Sequence, residues 1–383
     1  MVDTFLANWV YGIGIADASE TFGTDPYAGG LDMGLSAGLT AFPTVEQNSS
    51  DGRDVVGSGE EGGAPKLLAT RGQWNWETPR ATYNELAWLI GFSLGDVLTA
   101  AGASDAYKAH TVVPVITSGL IKRFTLEARQ HVDVNKRFKD AFLNSITLRM
   151  NTGASARTIA ASAEIVMPSN AIAINKSAPT ADPSFEVDSQ LLAIRLKKGA
   201  PSAAVKENAA AKSGAGLTAR GGNSPAKANT ALTAGSVIDA TARCDYWEYQ
   251  HGNNVDIDNS YGFGTGLYMS EPKRGQRSHS FEIGIPYEDD TYFEAADDTA
   301  SYAVELVFAD KTRGNGANQT ILGCRMLIPF AFLSAAPTLY AKGPEEFQRL
   351  ASAGCRKAKR WPSCANCIRW PLPRTTSARP WVP

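Results

Sequence analysis

Apolar and polar residues alternate with a period of two along much of the chain, most sharply between Lys66 and Met167. Gln73-Trp74-Asn75-Trp76-Glu77 and Phe124-Thr125-Leu126-Glu127-Ala128-Arg129 each place apolar side chains on one face and polar ones on the other. That is the pattern of a half-buried strand. Leu67-Leu68-Ala69 through Trp76 reads as one strand, which Pro79 ends. Thr111–Ile116, Leu120–Val134, Leu143–Met150 and Arg157–Met167 read as further strands, alternating or rich in β-branched residues. Among them lies one helical pattern. Thr82 is an N-cap with Glu85 three residues on, a capping box. Leu86, Leu89 and Ile90 form its apolar stripe, and Gly91 or Gly95 ends it.

Strand character returns after Pro179 and Pro183, at Phe185, Val187, Leu192, Ile194 and Leu196. Residues 199–236 then hold Ala, Gly, Ser, Lys and Asn with no aromatic residue, too little apolar area to offset ordering entropy. Strands resume at Val237–Tyr246, Ser280–Ile285, Ala303–Phe308 and Ile321–Ile328, with an acidic link at Tyr287–Asp298 that suits a short helix. The expected division is an N-terminal arm and long loop over 1–64, a β unit over 65–178, and a second over 179–338 with a flexible insertion at 199–236. A Pro-, Trp- and Cys-rich tail over 339–383, outside the fold, completes it. Within the arm, Gly-rich sequence surrounds one or two short strands, and Gln47–Ala64 reads as the loop. Gln130-His131-Val132-Asp133-Val134-Asn135 is echoed by Gln250-His251 and Val255-Asp256-Ile257-Asp258-Asn259, which makes the two units a pseudo-repeat.

Length supports two units, since one core stops growing at roughly 250–300 residues and the chain has 383. A hydrophobic content of 43% is that of a folded protein. No apolar run reaches about 18 residues, so no transmembrane helix is expected, and Met1–Tyr11 lacks the pattern of a signal peptide. The net charge of −2 hides an asymmetry: after Glu346 come eight basic residues and no acidic one. Without those eight, 29 basic residues face 39 acidic ones. An acidic body argues against a sequence-reading DNA binder, which needs a basic face, and suits a surface that DNA passes without sticking.

The chemistry-bearing motifs are weak. His110, His131, His251 and His279 form no metal-spaced pair. Cys364 and Cys367 make a C-x-x-C in the tail, with Cys355 upstream but no fourth zinc ligand. Gly34-Leu35-Ser36-Ala37-Gly38 matches a nucleophile elbow but lies in the Gly-rich arm, and Gly262-Phe263-Gly264-Thr265-Gly266 lacks the Lys-Ser/Thr of a phosphate loop. Asn254, Asp256 and Asp258 alternate like a calcium loop, but Asn259 stands where Gly is required. Acidic runs at Glu60-Glu61, Glu288-Asp289-Asp290 and Asp297-Asp298 read as solvated faces. The expectation is a protein that is not an enzyme, with no catalytic residue, cofactor or metal.

The order of these elements resembles the tail tube proteins of long-tailed bacteriophages. Glu20-Thr21-Phe22-Gly23-Thr24 is similar to a short motif near the start of many members, and a Gly-rich arm follows it. Gln73–Glu77, the helix Tyr83–Ile90, a loop with His110, and Arg123–Gln130 leading to Leu143–Met150 come in the family's order. Ser280–Ile285, Tyr287–Asp298, Tyr302–Phe308 and Ile321–Pro329 resemble its closing half. The likeness covers roughly residues 10–335 and leaves out the tail after Leu339. It implies a mainly β fold of two β-sandwich or barrel units with a short flanking helix and long inter-ring loops. It further implies rings, trimeric for a duplicated unit or hexameric for a single one, that stack into a hollow conduit for DNA. The implied partners are other copies, tail completion, tape-measure and baseplate proteins, and double-stranded DNA in the lumen. The implied location is the virion, after assembly in the host cytoplasm and without a membrane.

On that reading the loops 47–64 and 199–236 touch the adjacent ring, which makes Glu60, Glu61, Lys206, Lys212 and Arg220 interaction residues. The alternatives are a carbohydrate-binding β-sandwich module, in which Trp74 and Trp76 stack on sugars, and another tail component such as a baseplate or tail-tip ring.

Overall fold

The computed structural model describes residues 10–15, 33–36, 43–52, 63–99, 110–114, 121–131, 134–150, 158–168, 172–173, 186–187, 193–198, 237–239, 246–261, 269–286, 301–313, 320–332, 338–340 and 349–351. Strands β1 (Val10–Ile15), β2 (Met33–Leu35), β3 (Thr44–Gly52) and β4 (Gly63–Thr78) precede the helix α1 (Tyr83–Leu94). After it come β5 (Gly95–Thr99), β6 (His110–Pro114), β7 (Phe124–His131), β8 (Val134–Met150), β9 (Ile159–Met167) and β10 (Ile172–Ala173). Then follow β11 (Ala193–Lys198), β12 (Val237–Asp239), β13 (Tyr246–Gly252) and β14 (Ser278–Pro286). The last are β15 (Ser301–Arg313), β16 (Thr320–Phe332), β17 (Thr338–Tyr340) and β18 (Arg349–Ala351). The expectation of a mainly β chain holds among the described residues.

Twelve of these strands form one antiparallel sheet whose main path is β17-β18-β14-β13-β8-β7-β1-β2. Its hub is β8. The first half of β8 pairs with β7 and β10, and the second half with β9 and β13. The change of partners falls at Asp140, whose φ of 56° is uncommon outside glycine. Phe124 faces Ala141 while Leu126 faces Phe138, so β8 carries one extra residue there, a β-bulge that bends the strand. Arg123 holds the Asp140 carboxylate at 3.2 Å. Charged residues at Lys136, Arg137, Lys139 and Asp140 hide this first half of β8 from a hydrophobic pattern, which is why the expected strand began only at Leu143.

Alternation in β4 does what the pattern implies. Trp74 and Trp76 are buried, while Asn75 and Glu77 are exposed. Trp76 meets Trp88 of α1 edge-on at 5.7 Å, and Trp88 meets Phe124 of β7 at 5.2 Å. Tyr11 of β1 packs on Trp74 at 4.6 Å. The capping box forms: Thr82 Oγ1 accepts from the Glu85 backbone N–H at 3.2 Å, and Glu85 Oε2 accepts from the Thr82 N–H at 2.9 Å. Gly95, at φ 99°, ends the helix. Eleven of the twelve helical residues are buried, so α1 lies on one side of the sheet as an enclosed helix and not as an exposed one. The reason is its composition: with Trp88, Phe92 and Leu94 added to the stripe, the helix is apolar all round.

A second sheet, in the order β12-β11-β15-β16, shares one continuous core with the large sheet and α1. The division near residue 178 is bridged too, because β8 pairs with β13 from Arg149↔Glu248 to Ser145↔Gly252. Two other expectations are corrected. The stretch 47–64 is not simply a loop, since β3 and β4 pair from Thr44↔Gln73 to Gly52↔Gly63. A ribbon held by backbone pairing carries no hydrophobic period to read. The tail is not wholly outside the fold, since Arg349–Ala351 pairs with β14 and β17. A three-residue strand likewise needs only its backbone.

Candidate functional site

The sheet turns a broad polar face away from α1. It runs across β4, β9, β8, β13 and β14 in register. One row reads Glu77, Ser162, Thr147, Gln250, Ser280; the next holds Arg149, Glu248 and Glu282. A third row carries Asn75, Glu164 and Ser145. These side chains are exposed or half-buried, while their sequence neighbours Trp247, Tyr249, Phe281 and Ile283 are buried behind them. Glu248 lies directly opposite Glu282, and like charges so placed destabilise a sheet. Partial burial and then Glu248 raise the Glu282 carboxyl above its ordinary value. Burial first, and then the hydrogen bond that Tyr246 Oη donates to Glu248 Oε2 at 2.7 Å, raise Tyr246. Glu164 gathers Gln73 Nε2 at 3.3 Å, Asn144 Nδ2 at 2.9 Å and Ser145 Oγ at 3.3 Å.

At one end this face is apolar, and residues after β13 fold back over it. Phe142 and Val166 form a small second core there with Ile121, Val255 and Met269. Asn253 is the anchor: its N–H donates to the Asn144 carbonyl at 2.7 Å and its Nδ2 to the Leu143 carbonyl at 2.8 Å. Arg71 reaches Asp258 at 3.2 Å, an exposed pair of small worth. Gly275 passes so close that a Cβ would lie 2.0 Å from the Asn254 carbonyl oxygen. Gly275→Ala is therefore expected to cost about 1–3 kcal/mol through forced displacement. A urea titration of the variant against the unchanged chain measures it, and equal midpoints would contradict this close approach.

Beneath the face lies a partly buried polar network. His251 and His279 are cross-strand partners with ring centroids 4.5 Å apart. Tyr249 Oη lies 3.0 Å from His279 Nδ1, and His251 Nε2 lies 3.3 Å from Asn253 Oδ1. Arg277 donates from Nη2 to the Leu94 carbonyl at the end of α1, at 2.7 Å, and from Nε to Asn253 Oδ1 at 3.4 Å. In the order of the chain these histidines stand 28 residues apart and form no motif. The signal that joins them is their shared place in alternating strands, Tyr249-x-His251 and His279-x-Phe281, but pairing needs the register.

Trp74 and Trp76, named as sugar-stacking residues, are 2% and 0% exposed and present no face to a ligand. Their i, i+2 spacing puts both on the α1 side of β4. Ser36 of the Gly-x-Ser-x-Gly match donates its hydroxyl to Glu85 Oε1 at 2.6 Å, so it serves the helix cap. Glu60, Glu61, Lys206, Lys212, Arg220, the Glu20–Thr24 motif, Gly262–Gly266, the acidic link and the tail cysteines lie outside the described residues. Among the described residues no group of three or more His, Cys, Asp or Glu side chains is placed to hold a metal ion, and no helix is long and apolar enough to cross a membrane.

What the geometry defines is an antiparallel β protein with a large, partly acidic sheet face. No family model matches the chain, and no curated protein matches it.

Proposed function

We propose that the chain is a structural subunit of a phage tail tube, closing into rings that stack into a hollow conduit for DNA. The observation that carries this is the polar face over β4, β9, β8, β13 and β14. Its charged residues are Glu77, Glu164, Glu248 and Glu282 against Arg149 and the ion-paired Arg71. Keeping Glu248 opposite Glu282 costs stability, yet a negative wall repels phosphate and lets DNA slide. The β3–β4 ribbon supports the stacking part. Gly63–Arg71 of β4 reach beyond β9, which pairs only with Gly72–Thr78. At about 3.3 Å per residue those nine residues extend roughly 30 Å, enough to reach an adjacent ring. The pseudo-repeat belongs to the same reading, with trimeric rings; Gln130-His131 ends β7, and Gln250-His251 comes one residue before the end of β13.

Negative-stain microscopy of the purified chain across a concentration series tests the proposal. Rings or tubes with a central hole are expected. A monodisperse monomer at every concentration would sink it. The carbohydrate-binding alternative loses its two stacking residues to the core, and no other observation favours it.

A further inference from the structure

We infer that the His251–His279 pair is an acid-sensitive latch that holds residues 253–261 and 269–277 to β8 and, through Arg277, to the end of α1. The latch has three parts. Its pin is Arg277, which joins the Leu94 carbonyl to Asn253 Oδ1. Its anchor is Asn253, bonded to Leu143 and Asn144 of β8. Its core is the two imidazoles from β13 and β14, tilted by 37° with centroids 4.5 Å apart.

The groups facing the pair come from every neighbouring element. From β13 there is Tyr249, and from the segment before β14 there are Arg277 and, beyond it, Arg274. From α1 comes the backbone at Ser93 and Leu94, and from β8 the apolar Ile146 and Leu148 in register. Among the described residues, His279 and Arg277 are charges that act on His251, and Arg277 is one that acts on His279. A proton on either ring adds a cation beside the Arg277 guanidinium, in a site where His251 is buried and His279 and Arg277 are half-buried. Release of the segment from β8, and of Arg277 from the Leu94 carbonyl, lets water solvate all three.

Burial first, and then Arg277, hold His279 at about 4, while burial, His279 and Arg277 push His251 well below its ordinary value. Both shifts are downward, so the open state binds protons that the closed state does not. Opening therefore becomes easier as pH falls below about 6.5, the value of a free histidine.

Amide hydrogen exchange on the whole chain between pH 7 and pH 5, corrected for intrinsic rates, tests this. The reporters are the amides of Asn253, Ser270 and Gly275, which bond to Asn144, Ser260 and Asn253. Their opening constants should rise about tenfold per pH unit for each proton taken up, while the amides of the β4–β9 pair stay protected. Flat reporters would overturn the latch, and so would reporters that open in step with β4–β9. In His279→Gln, whose amide preserves a partner for Tyr249, the rise should fall to that of one proton; an unchanged slope would also overturn it.

Discussion

Trp76→Ala is expected to cost about 3–5 kcal/mol, the range for deleting a buried indole. The side chain is 0% exposed, meets Trp88 edge-on at 5.7 Å, and donates from Nε1 to the Ser36 carbonyl at 2.8 Å. Three losses add: transfer of the indole, the cavity, and a Ser36 carbonyl left without that donor. The site resists collapse because Trp88 is itself wedged against Phe124, with Phe92 beyond at 5.7 Å from that ring. Against a total stability of about 5–15 kcal/mol, the loss is a large fraction of the whole. Urea denaturation followed by tryptophan fluorescence measures it, with Trp76→Phe expected to fall well short of the Ala cost. A loss below about 1 kcal/mol would mean that the indole is exposed, and would restore the sugar-stacking reading.

The same residue shows what was legible in the sequence. The period of two in Gln73–Glu77 identified a strand and put Trp74 and Trp76 on one face, but not which face was covered. Only the position of α1 decides that. The capping box and the Gly95 stop were legible because they are local, spanning three or four residues. The β8 hub was not. Its bulge at Asp140 interrupts the period, and its partners β7, β9, β10 and β13 are spread from Phe124 to Gly252. The polar face was equally hidden. Glu77, Glu164, Glu248 and Glu282 each look like an ordinary outward residue of one strand, and they become a surface only through register. The acidic body seen in composition anticipated the sign of that surface, not its place.

The ion pair between β7 and β8 should answer mutation in a way that packing alone would not. Arg137 is 0% exposed and Glu127 1%, and they are cross-strand partners with Nη2 and Oε2 3.0 Å apart. Arg129 adds a second guanidinium at 3.8 Å from Glu127 Oε1. Removing one member of a buried pair costs about 3–5 kcal/mol, because the other charge stays in a site without water. Glu127→Leu should sit at the top of that range, since it takes the carboxylate from two guanidiniums. Arg137→Met should cost less, because Arg129 still faces Glu127. The double variant Glu127→Leu with Arg137→Met leaves no such mismatch between these two positions, and should recover most of the loss of Glu127→Leu alone. A double-mutant cycle by urea titration therefore predicts strong positive coupling, of at least about 1–3 kcal/mol. Additive losses would show that the two side chains are solvated, and that the bend of β8 at Asp140 does not bring this stretch of the sheet under cover.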